Sequence, residues 1–148
     1  MVKKNNIVST EELKKVIIEA MQDSKAQDIV ALNLKALEGV TDYYIICHGD
    51  STTQVNAIAS FVEKEVKEKL NQKPYKTEGE RAAQWVIADY IDVVVHVFHK
   101  ETREFYQLEE LWSDAERESF SLELDPAEQV KKNLQKLKTI RTKKLNEK

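Results

Sequence analysis

Polar and apolar positions follow two distinct periods along the chain. Ser9, Thr10, Glu11 and Glu12 form a capping-box pattern, a hydroxyl and a carboxylate three residues apart that can satisfy the free N–H groups at a helix start. Leu13, Val16, Ile17, Ala20 and Met21 then recur at i, i+3, i+4, i+7 and i+8, which is one apolar helix face. Residues 28–34 (DIVALNL) and 43–47 (YYIIC) are short, apolar and partly β-branched, and predict strands. Both are apolar enough for central strands covered on two faces. Ser51 to Gln54 repeats the capping pattern and opens a second helix, with Val55, Ile58, Ala59, Val62, Val66 and Leu70 on its apolar side and the segment from Asn71 to Pro74 ending it.

Beyond the loop around Glu78, Gly79 and Glu80, residues 85–89 and 92–98 predict two more strands with a tight turn at Tyr90 and Ile91. A helix from about Glu101 carries Phe105, Leu108, Leu111 and Trp112 near one side. The predicted order is α-β-β-α-(β)-β-β-α, with one optional strand: an α/β architecture with a mixed β-sheet flanked by helices. Residues 113–124 read as a linker. Asp125, Pro126 and Glu128 then supply an N-cap, a first-turn proline and a capping acid. The helix they open has a thin inner stripe of Val130, Leu134, Leu137 and Ile140 or Arg141, and predicts a loosely docked or free C-terminal helical tail.

Charge refines this division. The whole chain of 148 residues carries −3. Residues 131–148 hold eight Lys or Arg against the single acid Glu147, a net +7, which leaves −10 for residues 1–130. An acidic body repels a phosphate backbone and prefers a basic protein surface, whereas the tail's charge suits contact with RNA. No apolar run reaches the roughly 18–20 residues of a membrane span, and no apolar stretch follows Lys3 and Lys4 as a secretory leader would require. The single cysteine, Cys47, cannot form an internal disulfide, which fits a reducing cytoplasm.

Candidate chemistry is sparse. A Cys47–His96 dyad would place its members on strands where a buried structural thiol is the stronger expectation. His48, His96, His99 and Cys47 lack metal-site spacing, because an i, i+3 pair on a strand splits between faces. The turn at Gly49, Asp50 and Ser51 precedes a helix start, where an anion could bind. Nucleotidyl transfer also needs paired carboxylates on adjacent strands, and those positions carry Tyr, Ile, Cys, Val and His. Glu78 and Glu80 are the nearest spaced pair, and they flank a loop glycine. No catalytic residue, cofactor site or metal site is therefore assigned. Among the aromatics, Phe98 and Phe105 read as core, while Trp85 and Tyr106 suit anchors of a protein-binding surface ringed by acids.

The segments QDIVALNL, TDYYIICHGDSTTQVNAIASFVEKEV and EGERAAQWVIADYIDVVVHVFHKETREFYQLEELWSDA together resemble the ribosomal silencing factor family (RsfS or Iojap), over about residues 8–115. The resemblance implies a nucleotidyltransferase-like fold without catalytic residues and a non-enzymatic, cytoplasmic role. It implies binding to the large ribosomal subunit through its protein number fourteen, which blocks joining of the small subunit and lowers translation when nutrients run short. It also implies a homodimer when free. By motif position it places Trp85 in the contact surface, with Glu78, Gly79, Asp89, Asp92, His96, Arg103 and Tyr106 as further contact residues. Leu108, Leu111 and Trp112 are implied to serve packing or the interface. Two positions depart from the family pattern: Asn33, where Asp is usual, and His48, in place of a small hydroxyl residue. The chain then divides into a domain over 1–115 and a linker with a basic helix over 116–148, whose charge offers a contact to ribosomal RNA. The alternative is a nucleotide-binding or nucleotidyltransferase-related protein acting in ribosome assembly or RNA processing.

Overall fold

The structure, a computed structural model, describes residues 8–37 and 41–120 together with Leu134. Its six strands are β1 (Gln27–Asn33), β2 (Tyr43–Gly49), β3 (Lys76–Glu78), β4 (Trp85–Asp89), β5 (Val93–His99) and β6 (Glu116–Phe120), and its helices are α1 (Thr10–Asp23), α2 (Thr52–Leu70), α3 (Lys100–Tyr106) and α4 (Leu108–Leu111). The strands form one sheet in the order β3-β4-β5-β2-β1-β6. At its centre β2 and β5 run parallel from Tyr43↔Val93 to Gly49↔His99, and every other pairing is antiparallel. This is the mixed sheet flanked by helices that the sequence pattern predicts.

Side chains alternate between the two faces of the sheet. Ile29, Ala31, Tyr43, Ile45, Cys47, Val86, Val93, Val95 and Val97 form one core with the buried sides of α1 and α2. Both helices start as their sequences predict: Ser9 Oγ accepts the Glu12 N–H at 3.1 Å, and Ser51 Oγ accepts the Gln54 N–H at 3.1 Å. Val30, Leu32, Leu34, Ile46, Phe98 and Leu108 form a smaller cluster on the opposite face, with Tyr44, Trp85 and Trp112 packed at its margin. The two faces are therefore unequal. Among the described residues, one is sealed by two long helices, and the other is only partly covered by the short α3 and α4.

The expected linker over 113–124 is corrected at Glu116–Phe120, which is the edge strand β6 paired to β1. Its composition is polar because an edge strand has one free backbone margin and little to bury. Glu118 faces α1, where Lys14 Nζ meets it at 2.7 Å. The optional strand is β3, equally short and polar. The expected tail helix lies outside the described residues apart from Leu134, which is helical and half exposed.

The single helix expected from about Glu101 to Trp112 is instead two. Gln107 adopts a left-handed conformation (φ 47°) and its N–H closes onto the Arg103 carbonyl at 2.9 Å. The break lets Arg103 grip Glu109 with two N–H···O contacts of 3.2 and 3.0 Å. On an unbroken helix, residues six apart would lie about 240° around the axis from one another and could not meet. Phe105, expected in the core, is consequently 81% exposed, and Leu111 is 75% exposed, while Leu108 is buried. Replacing Gln107 with Gly should stabilise the fold by about 1 kcal/mol, because Gly adopts the left-handed region freely. In a continuous helix the same change would destabilise by about 1 kcal/mol. The sign of the shift in urea-unfolding free energy decides between the two geometries.

Candidate functional site

Aromatic rings run across the partly covered face from α4 to α3. Trp112 packs edge-on against Tyr44 (centroids 5.7 Å apart), Tyr44 against His96 (4.5 Å), and His96 lies 5.9 Å from Trp85. Trp85 stacks on Phe98 at 4.7 Å and meets Tyr106 at 5.1 Å, which in turn contacts Phe105 at 5.1 Å. Strand register explains the gathering. Trp85 opposes Phe98 across β4 and β5, and Ile46 opposes His96 across β2 and β5, so alternation delivers these rings to one face.

Trp85 is the half-buried centre of the run. Its Nε1–H donates to His96 Nδ1 at 3.0 Å, which makes Nδ1 the acceptor and assigns the ring proton to Nε2. Gly79 supports Trp85 from behind. With φ at 89°, a Cβ on Gly79 would sit 2.0 Å from the Trp85 carbonyl oxygen, so only glycine fits. Glu78 ends β3, exposed, and pairs with Lys76 at 3.0 Å. Asp89 ends β4 and accepts the Ile91 N–H at 2.8 Å, and exposed Asp92 gives its carbonyl to the N–H groups of Asp42 and Tyr43. Tyr106 is half exposed.

Three of the expected contact residues lie behind this surface. Leu108 and His96 are buried, and Arg103 is only 8% exposed. The Arg103 guanidinium is spent inside the protein, on Glu109 and on His48 Nδ1 at 2.9 Å. Burial pushes the Glu109 carboxyl up, but Arg103 and Arg117 outweigh it and hold the group below the usual carboxylate range. Burial, and then the Arg103 charge, lower the pKa of His48, which keeps it a neutral acceptor. Sequence reasoning missed Tyr44, read as an ordinary strand residue, and misassigned Phe105. The usable signal for Tyr44 was the adjacent pair Tyr43 and Tyr44, whose rings a strand must send to opposite faces.

The alternative chemistries fare differently. Cys47 faces the helical core, away from His96, and burial pushes its thiol up to about 12, far from a reactive thiolate. Among the described residues no three His, Cys, Asp or Glu side chains are grouped to hold a metal. At the start of α2 the Asp50 N–H is taken by Gln54 Oε1 at 2.7 Å and the Gln54 N–H by Ser51 Oγ at 3.1 Å, while the Asp50 carboxylate adds a negative charge beside the turn. A cavity of about 430 Å³ beside His48 is lined by Lys100, Arg103 and Arg117 but also by Asp28, Glu104, Glu109 and Glu110, so its acids outnumber its bases and a phosphate gains no net attraction. No helix among the described residues is long and apolar enough to cross a membrane.

The geometry thus defines a domain that presents an aromatic surface with Glu78, Asp89, Glu104 and Glu110 on its elements. Comparison with known proteins points the same way. The family model described as "Ribosomal silencing factor during starvation" matches residues 8–147, beyond the 8–115 covered by the motifs. The chain is 44% identical over 108 residues to Ribosomal silencing factor RsfS of Halalkalibacterium halodurans, covering 73% of this chain and 92% of that protein. It is 45% identical over 104 residues to Ribosomal silencing factor RsfS of Bacillus subtilis, covering 68% and 85%. An X-ray crystal structure of a Chromobacterium violaceum protein superposes with a TM-score of 0.69 at 34% identity, over 80% of this chain and 98% of that one. The chain belongs to the ribosomal silencing factor family.

Burial depresses the His96 pKa to about 3. Between that value and the ordinary 6.5, the unfolded chain binds a proton that the folded chain refuses, so stability rises with pH through this window and is complete above it. Lowering the pH from 7 to 5 should cost about 2 kcal/mol from this ring alone. Urea midpoints at the two pH values test this: His96→Phe should flatten the dependence, whatever it does to absolute stability.

Proposed function

We propose that this protein is a non-enzymatic translation repressor that acts in the cytoplasm. It binds the large ribosomal subunit through that subunit's protein number fourteen and blocks joining of the small subunit by occupying the joining face. The observation that carries this reading is the aromatic run around Trp85 and Tyr106, with Asp89 on the same strand as Trp85 and Glu78 on the next, on the sheet face that the described helices leave partly open. Aromatic anchors in a half-desolvated setting dominate protein interfaces, and surrounding acids favour a basic partner and speed encounter. Occlusion requires only affinity and bulk, so the scarcity of catalytic groups is compatible with it. Trp85, Tyr106, Leu111 and Trp112 serve as direct contacts. Glu78, Asp89 and Asp92 contribute charge, and Gly79, His96, Arg103 and Leu108 hold the contact residues in place. The free protein is a homodimer in this reading, and the +7 segment over residues 131–148 adds a contact to ribosomal RNA.

Sedimentation of large and small subunits with the protein added tests occlusion directly. Co-migration with the large subunit and a loss of joined ribosomes are expected. Trp85→Ala should lose about 2 kcal/mol or more of binding, roughly thirtyfold in Kd. Tyr106→Ala, on an exposed ring, should weaken binding without unfolding the domain. A protein that stays at the top of the gradient would refute the proposal. The tail is tested separately: deleting residues 125–148 should lower affinity and flatten its dependence on salt, since fewer counterions are released. Unchanged affinity and salt slope would remove the RNA contact from the mechanism.

A further inference from the structure

We infer that Ile91, at the tip of the β4–β5 hairpin, is an additional contact residue for the same basic protein surface, held outward at the expense of backbone strain. The inference rests on the function proposed above. Tyr90 N–H bonds the Val93 carbonyl at 2.8 Å, which closes a two-residue loop of Ile91 and Asp92. Of these two residues only Ile91 has positive φ, at 77°, and the Asp92 N–H also reaches the Tyr90 carbonyl at 3.0 Å. A hairpin loop of this kind takes glycine at its first central position, and a γ-turn with φ near 75° is rare and strained. A β-branched residue there is an outlier.

The strain persists because the surroundings over-determine the turn. Asp89 Oδ1 accepts the Ile91 N–H at 2.8 Å, and the Asp92 carbonyl accepts two N–H groups from the start of β2. Among the described residues the side chain is poorly buried, since Ile91 is 55% exposed. Tyr75, whose N–H bonds the Asp89 carbonyl at 2.7 Å, is 77% exposed at the same end of the sheet. Asp42, Asp89 and Asp92 flank the tip, which favours a basic partner here as around Trp85. Both residues belong to one hairpin: β4 runs from Trp85 to Asp89, and Ile91 follows two residues later. Six residues at strand spacing put Ile91 roughly 20 Å from Trp85, within the span of a patch of about 800 Å² per partner. Burying an isoleucine in that patch returns what the turn costs, and glycine would satisfy the turn alone.

Affinity for purified Bacillus subtilis large subunits and thermal unfolding, measured on the full chain, test this together. Ile91→Gly should raise Tm by about 3 °C or more and weaken binding about tenfold. Ile91→Asn, which tolerates positive φ without glycine's flexibility, should weaken binding to a similar degree. Ile91→Val should bind like the wild type. Loss in Ile91→Gly but not in Ile91→Asn would overturn the inference, since flexibility and not the lost apolar group would be the cause. A Tm that falls in Ile91→Gly would overturn the strain on which it depends. If both variants bind like the wild type while Tyr106→Ala binds weakly, the inference fails and the proposed function stands. If the wild type itself does not bind, both fall.

Discussion

The parallel pairing of β2 with β5 is the constraint from which the other features follow. Seven consecutive residue pairs lock the two strands in register, and side-chain alternation then divides their residues without remainder. Ile45, Cys47, Val93, Val95 and Val97 go to the helical side, and Tyr44, Ile46, His96 and Phe98 to the other. A slip of one residue would send the aromatic set under α1 and α2 and present valines outward. The aromatic surface is thus a consequence of register, and its rings come from β2, β4 and β5, which no local segment could assemble.

A second device orients the edge of that surface. Arg103 is a charge taken out of water, which is tolerable only when paired and hydrogen-bonded. It forks onto Glu109 beyond the helix break and reaches back to His48 at the end of β2, so one side chain ties α3, α4 and the sheet together. Arg117 on β6 adds a second cation to Glu109 at 3.6 Å. The left-handed Gln107 is what this clamp holds in place, and Leu111 and Trp112 take their positions from it. Arg103 acts on the surface only through the backbone it holds.

The same economy explains which apolar groups remain outside. Phe105, Leu111, Ile91 and Tyr75 are exposed on short or strained elements, whereas α1 and α2 bury nearly all of theirs. Exposed apolar groups on the less stable margins of a domain are the expected arrangement when a second surface is to cover them. The cost is borne locally, at Gln107 and at Ile91, where positive φ is held by surrounding hydrogen bonds and not by the residue's own preference.

How far the sequence alone reached depended on whether a feature was periodic. The helices α1 and α2, with Ser9 and Ser51 as their caps, and the four apolar strands were legible because local hydrogen bonding and a continuous apolar stripe determine them. Trp85 and Tyr106 were also singled out in the sequence, and the structure brings their rings to 5.1 Å of one another. Three features were not legible. The polar edge strand β6 has no burial pattern, because it is held by backbone pairing to β1 and by ion pairs of Glu118 and Arg117 with residues distant in the chain. The break at Gln107 depends on an Arg103–Glu109 pair that exists only once the chain has turned. The exposure of Phe105 and the burial of Arg103 reverse ordinary residue preference and are set by that same turn. Local periodicity therefore determined the elements and their inner faces. Tertiary structure decided which face stayed open and which residues stood on it, because both depend on strand register and on contacts between segments far apart in the chain.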